Sequence, residues 1–159
     1  MLTVNIICVG RLKESWLREG CAEYIKRLGA YCRFNIVELD EKRLPEQPSQ
    51  AQIKAALDAE GAAILSAAGN SFIAAMCIEG AKLSSVELSQ RIDKLAVSGI
   101  SAVSFVIGSS FGLSEQVKSA AKLRLSMSDM TFPHQLARLM LLEQLYRAFQ
   151  ISTGGKYHK

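Results

Sequence analysis

The segment "SAVSFVIG" (Ser101–Gly108) decides the fold, because it is a short apolar run that ends at a glycine. Its β-branched and aromatic residues favour a strand, and its nearly continuous apolarity favours burial on both faces. The segment "SFIAAMCI" (Ser71–Ile78) has the same character. Strands that are buried on both faces are typical of parallel sheets covered by helices. These two segments therefore predict an α/β fold.

Strands and helices alternate outward from these two segments. Further strands are predicted at Leu2–Gly10, Arg33–Leu39 and Lys122–Ser128. Helical spacing of apolar residues predicts helices at Lys13–Leu28, Ser49–Ala68, Ser84–Gly99, Gly112–Lys122 and Pro133–Ser152. We therefore expect one domain over residues 1–159, with a mainly parallel sheet and helices on both faces.

The composition places few limits on function. Hydrophobic residues make up 49% of the chain, which suits a globular core, and the net charge of +4 permits a polyanionic partner without requiring one. Four cysteines are scattered at Cys8, Cys21, Cys32 and Cys77, with no C-x-x-C pair. We expect reduced thiols, a cytoplasmic protein and no metal site.

No segment predicts a membrane span or a secretory signal. The most apolar window, Ala62–Ile78, is interrupted by Gly69 and Asn70 and is shorter than a span requires. The opening "MLTVNIICVG" lacks a basic region ahead of its apolar run. We therefore expect no contact with a membrane.

Three loops after predicted strands are candidates for a ligand site. They are "MCIEGAKLSS" (Met76–Ser85), "IGSSFGLS" (Ile107–Ser114) and "SMSDMTFPHQ" (Ser126–Gln135). Ligands of open α/β sheets bind beyond the carboxyl ends of the strands, where these loops would meet. Gly108 and Gly112 allow close backbone approach, although an ordinary strand-to-helix turn explains them as well. The glycine loop is neither a Walker motif nor a dinucleotide fingerprint.

The last predicted helix is apolar around most of its circumference, which indicates burial on several sides. A homodimer interface would supply the second cover, and a central core helix in a monomer is the alternative. Glu143 and Arg147 have the spacing of a local ion pair. Arg138 points about half a turn away from Arg147, at about 100° per residue, and needs a carboxylate, a phosphate or the other subunit as partner.

The segment after this helix carries Lys156, Tyr157, His158 and Lys159. A solvated tail is the default for such a segment. Aromatic and cationic residues together also suit stacking on a base and binding of phosphate. His134, the other histidine, falls in the first turn of the last helix, where a capping or packing role is usual.

Taken together, these segments resemble the RlmH family of ribosomal RNA methyltransferases, in the SPOUT (α/β-knot) superfamily. The likeness extends along nearly the whole chain. It is carried by "CVGRLKESW", "EYIKRL", "EGAAIL", "GAKLSS", "FVIGSSFGL", "LRLSMSDMTFPHQLARLMLLEQLYRAF" and "YHK". The last two blocks are the most specific.

The resemblance implies a C-terminal trefoil knot, a rare exception to the rule that chains do not thread loops. It implies that S-adenosylmethionine binds between the three loops, and that the protein is a homodimer packed largely through the last helix. The implied substrate is N3 of a pseudouridine in 23S rRNA of the large subunit, within the assembled ribosome. The implied cofactor residues are Met76, Gly108, Met127, Ser128, Asp129, Met130, Thr131 and Phe132.

On this reading the tail takes part in catalysis. His158 is the candidate base for the N3 proton, with Tyr157 stacking on or hydrogen-bonding to the target base. Arg138, Arg147 and Lys156 are the candidate phosphate contacts. We expect the tail to become ordered only when RNA binds.

The chain departs from the family pattern at three positions. Relatives usually carry an acidic residue where Cys77 stands, a lysine where Ala81 stands and a glycine where Ser109 stands. The departures at Cys77 and Ser109 are the sequence support for one alternative, a non-catalytic ribosome-associated protein with the same fold. A SPOUT methyltransferase that acts on a different RNA is the second alternative.

Overall fold

The computed structural model describes residues 1–158 and shows strands and helices in strict alternation. The strands are β1 (Thr3–Val9), β2 (Arg33–Leu39), β3 (Phe72–Lys82), β4 (Ala102–Ile107) and β5 (Leu123–Ser126). The helices are α1 (Ser15–Leu28), α2 (Gln50–Ala68), α3 (Ser85–Val97), α4 (Glu115–Ala120) and α5 (His134–Ser152). Lys159, the last residue of the predicted tail, lies outside the described residues.

The strands form one parallel sheet in the order β2-β1-β4-β3-β5. The two segments that predicted the fold, β3 and β4, lie next to each other inside it. Because all strands run in one direction, their carboxyl ends lie along one edge. The predicted parallel sheet is confirmed.

Each face of the sheet has its own apolar core. Ile6 and Phe105 point to one face, where the larger core packs against α1, α3 and α5. Ile7 and Val106, their neighbours in sequence, point to the other face, where the core includes residues of α2 and α4. Alternation along the same strands therefore supplies two cores. Helices cover both faces, as predicted.

The polar residues predicted to begin two helices do so. The Ser49 hydroxyl accepts from the Gln52 N–H, and the Ser84 hydroxyl accepts from the Glu87 N–H, both at 3.1 Å. The Gln52 and Glu87 side chains accept the backbone N–H groups of the serines in return. Both helices thus begin with a complete capping box.

Two predicted boundaries were wrong near the carboxyl edge. The helix expected at Gly112–Lys122 covers only Glu115–Ala120, because Gly112 has a φ of +87° and the Ser114 hydroxyl caps the helix by accepting from Val117 N–H. Conversely, β3 extends to Lys82 instead of ending at Ile78. The extension is possible because β3 pairs with β5 a second time, after a break in register between Met76 and Ala81.

Within residues 1–158, no helix has the length and apolarity needed to cross a lipid bilayer.

Candidate functional site

The three predicted loops meet at the carboxyl edge of the sheet and enclose a cavity of about 750 Å³. A volume in this range suits a small ligand or cofactor. Of the eight residues assigned to the cofactor from the resemblance, seven line the wall: Met76, Gly108, Met127, Ser128, Met130, Thr131 and Phe132. The eighth, Asp129, is directed away from the wall and forms an ion pair with Lys82 at 2.5 Å.

The first wall is the segment Cys77–Gly80, which loops out of β3. Met76 and Ala81 both pair with Leu125 of β5, so the four residues between them leave the ladder. Gly80 makes this return possible, since a Cβ there would lie 2.6 Å from the Leu125 backbone. In the sequence, this loop is marked by a glycine within a strand pattern, which often indicates a bulge or a close approach of another backbone.

The second wall is the glycine loop, Gly108–Gly112. A Cβ on Gly108 would lie 2.2 Å from the carbonyl oxygen of Gly112, so a side chain has no room there. The loop closes with a hydrogen bond from Gly112 N–H to the Ser109 carbonyl at 2.9 Å. Glycine at position 108 therefore allows the loop to fold tightly, so that backbone at this position can approach a ligand closely.

Glu60 of α2 supports the glycine loop from behind. Its side chain is buried, with 4% exposed, and Oε1 accepts the Ser109 hydroxyl at 3.1 Å. Oε2 accepts the backbone N–H of Lys42 at 2.9 Å. Ser109, one of the three departures from the family pattern, is thus hydrogen-bonded in the interior. A single carboxylate connects the glycine loop to the loop that follows β2.

The third wall is the connection from β5 to α5. The Ser126 hydroxyl donates to the Ser128 carbonyl at 3.0 Å, and the Ser128 hydroxyl accepts from Met130 N–H at 3.0 Å. The turn satisfies its own polar groups locally, in the manner of serine turns. His134, in the first turn of α5, also lines the cavity.

The charged groups on the wall are a glutamate and a lysine that contact each other. Lys118 Nζ of α4 lies 2.6 Å from Glu79 Oε1. The hydrogen bond from Lys118 lowers the pKa of Glu79, and the hydrogen bond to Glu79 raises the pKa of Lys118. Both groups therefore stay ionised at neutral pH. Burial raises the pKa of the neighbouring Cys77 thiol, so the thiol stays neutral there.

Among residues 1–158, no three His, Cys, Asp or Glu side chains come together in a way that could hold a metal ion.

Arg138 has a structural partner. Its side chain is 3% exposed, its Nη1 donates to Glu38 Oε2 at 2.8 Å, and its Nη2 donates to the Gly10 carbonyl at 3.1 Å. Of the three partners considered for this arginine, the structure shows the carboxylate. The predicted phosphate contact for Arg138 is therefore wrong, because a buried guanidinium that is already paired presents no surface to RNA.

The tail is docked against α5 and α1 in the structure. Gly154, at a φ of +70°, reverses the chain, and the Gly155 N–H returns to the Gln150 carbonyl at 2.7 Å. The Tyr157 ring then lies edge-on to Tyr146, with 4.9 Å between ring centroids. The protein itself therefore provides a docking surface for the tail, and the expectation that the tail becomes ordered only on RNA binding stays a prediction.

Glu143 is the polar centre of that surface. Its Oε1 accepts from Arg147 Nε at 3.0 Å and from the Tyr157 hydroxyl at 3.1 Å. Because the Tyr157 hydroxyl already donates its hydrogen bond to Glu143, the Tyr24 hydroxyl is the donor in the 3.3 Å contact with the Tyr157 oxygen. The hydrogen bond to Tyr24, followed by burial and Glu143, raises the pKa of Tyr157. The predicted Glu143–Arg147 pair is confirmed.

His158 is exposed, and its Nδ1 lies 3.3 Å from Arg147 Nη1. A guanidinium only donates, so Nδ1 accepts and neutral His158 carries its proton on Nε2. This contact occurs at Arg147, in the fourth turn of α5, whereas the cavity wall reaches α5 only at His134 and Ala137. His158 and Tyr157 are therefore not on the wall of the cavity in their own chain.

The sequence profile described as "Predicted SPOUT methyltransferase" matches residues 2–158. The chain belongs to the SPOUT methyltransferase family. It is 50% identical over 159 residues to the protein of Bacillus pumilus named "Ribosomal RNA large subunit methyltransferase H", with 99% of this chain and 100% of that protein covered. A protein of the same name from Clostridium acetobutylicum is 48% identical over the same shares.

Solved SPOUT-like structures share the fold. A probable methyltransferase from Bordetella pertussis Tohama I superposes with a TM-score of 0.58, at 17% identity, over 92% of this chain and 95% of that one. At this identity the likeness concerns the architecture alone. It supports the parallel sheet with helices on both faces as the fold of this family member.

Two features of this SPOUT site were missed in the sequence. Glu60 was seen only as part of "EGAAIL", although a carboxylate in an apolar helical segment is a signal of a buried polar role. The Glu79–Lys118 pair joins residues 39 positions apart, in a loop and in a short helix. No periodic pattern reveals that contact.

Proposed function

We propose that this protein is an S-adenosylmethionine-dependent methyltransferase that modifies N3 of a pseudouridine in 23S rRNA of the large ribosomal subunit, within the assembled ribosome. The observation that carries the proposal is the cavity at the carboxyl edge of β3, β4 and β5. Membership of the SPOUT family and the name shared by the two full-length relatives support it.

The cavity fits S-adenosylmethionine by its shape and chemistry. Gly108 lines the cavity, and a Cβ there would collide with the Gly112 carbonyl, so the tight loop requires glycine at this position and offers its backbone to a ligand. Apolar residues such as Leu125, Met127 and Ile107 suit an adenine ring, and the Glu79–Lys118 pair offers opposite charges to a charged ligand. When bound, the cofactor supplies a methyl group on a positively charged sulfur.

The protein's own part in the reaction is mainly positioning. The walls of the cavity hold the donor and exclude water, and the RNA must present N3 of the target base at the open side. N3 of the base has to lose a proton to become a good nucleophile. In the proposal Tyr157 contacts the base, and His158 takes that proton on Nδ1 once the contact with Arg147 is released.

A homodimer brings the tail to a cavity. The tail of one subunit is off the wall of its own cavity, so the proposal places it at the cavity of the partner. Helices α1 and α5 offer an apolar surface for such an interface. Trp16 of α1 is 57% exposed, and one turn further along α1 Leu139 of α5 packs against Gly20. Leu136 and Met140 extend this surface along α5 as half-buried residues. Burial of this surface would give the last helix its second cover.

Threading of α5 through the preceding loops, the trefoil knot, is also part of the proposal. The position of β5 supports it: β5 lies next to β3 in the sheet, although β4 and two helices separate the two strands in sequence. A knotted end would keep the cavity walls in register. We also propose that residues 1–159 form a single domain and that the protein is cytoplasmic. Four free cysteines support the cytoplasmic location.

The RNA contacts in this proposal are Lys156 and Arg147. Lys156 is exposed, and the Arg147 guanidinium lies 4.7 Å from the centre of the Tyr157 ring. A net charge of +4 is small for binding naked RNA at physiological salt. The assembled ribosome is therefore the expected substrate rather than a short hairpin.

The test is methyl transfer from labelled donor to ribosomes that lack the modification, followed by mass spectrometry of 23S rRNA. Wild-type protein should modify one pseudouridine at N3. His158→Ala, and a chain ending after Gly155, should lose turnover while the donor still binds in calorimetry. Full turnover by both variants would remove the tail from the mechanism.

Failure of the wild-type protein to bind the donor would favour a non-catalytic ribosome-associated protein, and methylation of another RNA would favour the other alternative.

The dimer is tested separately by light scattering. Leu139→Glu should convert the dimer to a monomer, because it places a charge in the proposed interface. Val97→Glu is the control, since Val97 is 89% exposed at the end of α3. A wild-type protein that is monomeric at micromolar concentration would contradict this part of the proposal.

A further inference from the structure

The cavity wall carries a pair of opposite charges in otherwise uncharged surroundings. Among the described residues that line it, Glu79 and Lys118 are the only Asp, Glu, Lys or Arg side chains. The remaining wall consists of apolar side chains, hydroxyl groups, backbone, the neutral thiol of Cys77 and the imidazole of His134. A ligand with charged groups has these two side chains of the same chain as its ionic partners.

S-adenosylmethionine divides into two chemically different ends. The adenosine end is uncharged, whereas the amino-acid end is a zwitterion with an ammonium and a carboxylate. We propose that Glu79 and Lys118 bind the amino-acid end of the methyl donor, with Glu79 facing the ammonium and Lys118 facing the carboxylate. This inference rests on the proposed function, because it requires that the cavity binds the donor.

The pair is placed to serve as one binding feature. Glu79 lies on the segment that loops out of β3, and Lys118 lies on α4, so the two side chains reach toward each other from different walls. Only 18% of the Lys118 side chain is exposed, so its stem is packed and its ammonium is confined near Glu79. The Glu79 side chain is 50% exposed and is open to a ligand.

A zwitterion can join this pair without leaving any charge unpaired. Four groups of alternating sign, glutamate, ammonium, carboxylate and lysine, give every charge an opposite neighbour. Partly exposed ion pairs contribute little to folding stability, so rearrangement of the Glu79–Lys118 contact costs little. Each residue also holds the other in its charged form, as the lowered pKa of Glu79 and the raised pKa of Lys118 indicate.

A purely structural role makes different predictions. If the ion pair only held the segment Cys77–Gly80 against α4, its loss would disturb the wall for every ligand. If it binds the amino-acid end, its loss affects only ligands that have this end. The two roles therefore separate when ligands with and without the amino acid are compared.

The experiment is calorimetric titration of wild type, Glu79→Gln and Lys118→Met with S-adenosylhomocysteine and with methylthioadenosine, which lacks the amino-acid end. Each variant should bind S-adenosylhomocysteine about tenfold more weakly and methylthioadenosine unchanged. Glu115→Gln is a matched control, because Glu115 lies 3.9 Å from Lys118 but is not on the wall. Lys122→Met is the corresponding control for lysine.

The outcomes distinguish the inference from the proposed function. If wild type binds neither ligand, the proposed function fails. If wild type binds both and the variants lose both equally, the pair only supports the wall and the inference is overturned. Unchanged binding of S-adenosylhomocysteine overturns it as well.

The exchanged variant Glu79→Lys/Lys118→Glu adds a second check. It keeps an ion pair but reverses its polarity, so methylthioadenosine binding should persist while S-adenosylhomocysteine affinity stays reduced. Recovery of S-adenosylhomocysteine affinity in this variant would show that any ion pair suffices, and would overturn the inference.

Discussion

The cavity and the docked tail are built in opposite ways. Backbone against backbone forms the cavity, at Gly80 and Gly108, where even a methyl group would collide with a neighbouring strand or loop. Side chains hold the tail, through contacts that converge on Glu143. The difference indicates that the cavity tolerates little change, whereas the tail can leave its surface without disturbing the fold.

The largest effect is expected when backbone contact in the cavity is disrupted. Gly108→Ala places a Cβ 2.2 Å from the Gly112 carbonyl, so the glycine loop must move. We expect the free energy of unfolding to fall by about 1–3 kcal/mol and donor affinity to fall more than about tenfold. Thermal unfolding and calorimetry measure the two effects.

Gly29→Ala is the control for this prediction. Gly29 has an ordinary helical φ of −57°, and a Cβ there would come no closer than 3.4 Å to another heavy atom. Its stability and donor affinity should match those of wild type. A Gly108→Ala protein that behaves like Gly29→Ala would contradict the view that close backbone approach forms the cavity.

The second prediction concerns the support behind the glycine loop. Glu60→Ala leaves the Ser109 hydroxyl and the Lys42 N–H without their buried acceptor, which should cost about 1–3 kcal/mol of unfolding free energy and weaken donor binding. Asp58→Ala, on the same helix in an exposed ion pair, should cost well below about 1 kcal/mol. Chemical denaturation compares the two, and equal costs would argue against a support role for Glu60.

The third prediction addresses the tail. Glu143→Gln removes the charged acceptor of Tyr157 and Arg147, so the pKa of Tyr157 should fall toward its ordinary value, though only in part because Tyr24 remains. A spectrophotometric titration of tyrosine detects the change. Unfolding free energy should fall by only about 0.5–1 kcal/mol, and donor affinity should stay the same.

The control for this prediction is Glu23→Gln, which breaks an equivalent ion pair with Arg27. A loss of donor affinity in Glu143→Gln would mean that the tail and the cavity are not independent.

The smallest effect is a difference in thiol reactivity. Cys77 is half-buried on the cavity wall, and burial raises its pKa, so a thiol reagent should modify it slowly and faster as the pH rises. Burial raises the pKa of Cys8 to about 12 and that of Cys32 to about 11, so both should react only after unfolding. S-adenosylhomocysteine should protect Cys77, as peptide mapping can show. Modification of Cys77 at the same rate with and without ligand would place the ligand elsewhere.

The sequence predicted the parts of the molecule that follow local or periodic rules. Ser49 and Ser84 cap helices because the capping pattern is local. The apolar runs of β3 and β4 indicate a parallel sheet because a continuous apolar run marks a strand that is buried on both faces. The meeting of three loops followed from the parallel direction of the strands.

What the sequence did not predict depends on contacts between distant residues. Arg138 pairs with Glu38 across 100 positions, and Glu60 reaches Ser109 across 49. The docking of Tyr157 requires a surface that Tyr24, Tyr146 and Glu143 form only after α1 and α5 have packed together. No spacing rule contains such information, because it arises from the tertiary fold.

The most direct test of the central claim is calorimetric titration of S-adenosylhomocysteine into the full chain and into a chain ending after Gly155. If the cavity between the three strand-end loops binds the donor on its own, the two dissociation constants should agree within about threefold. An absence of binding to the full chain, or a loss of more than about tenfold on truncation, would contradict the account.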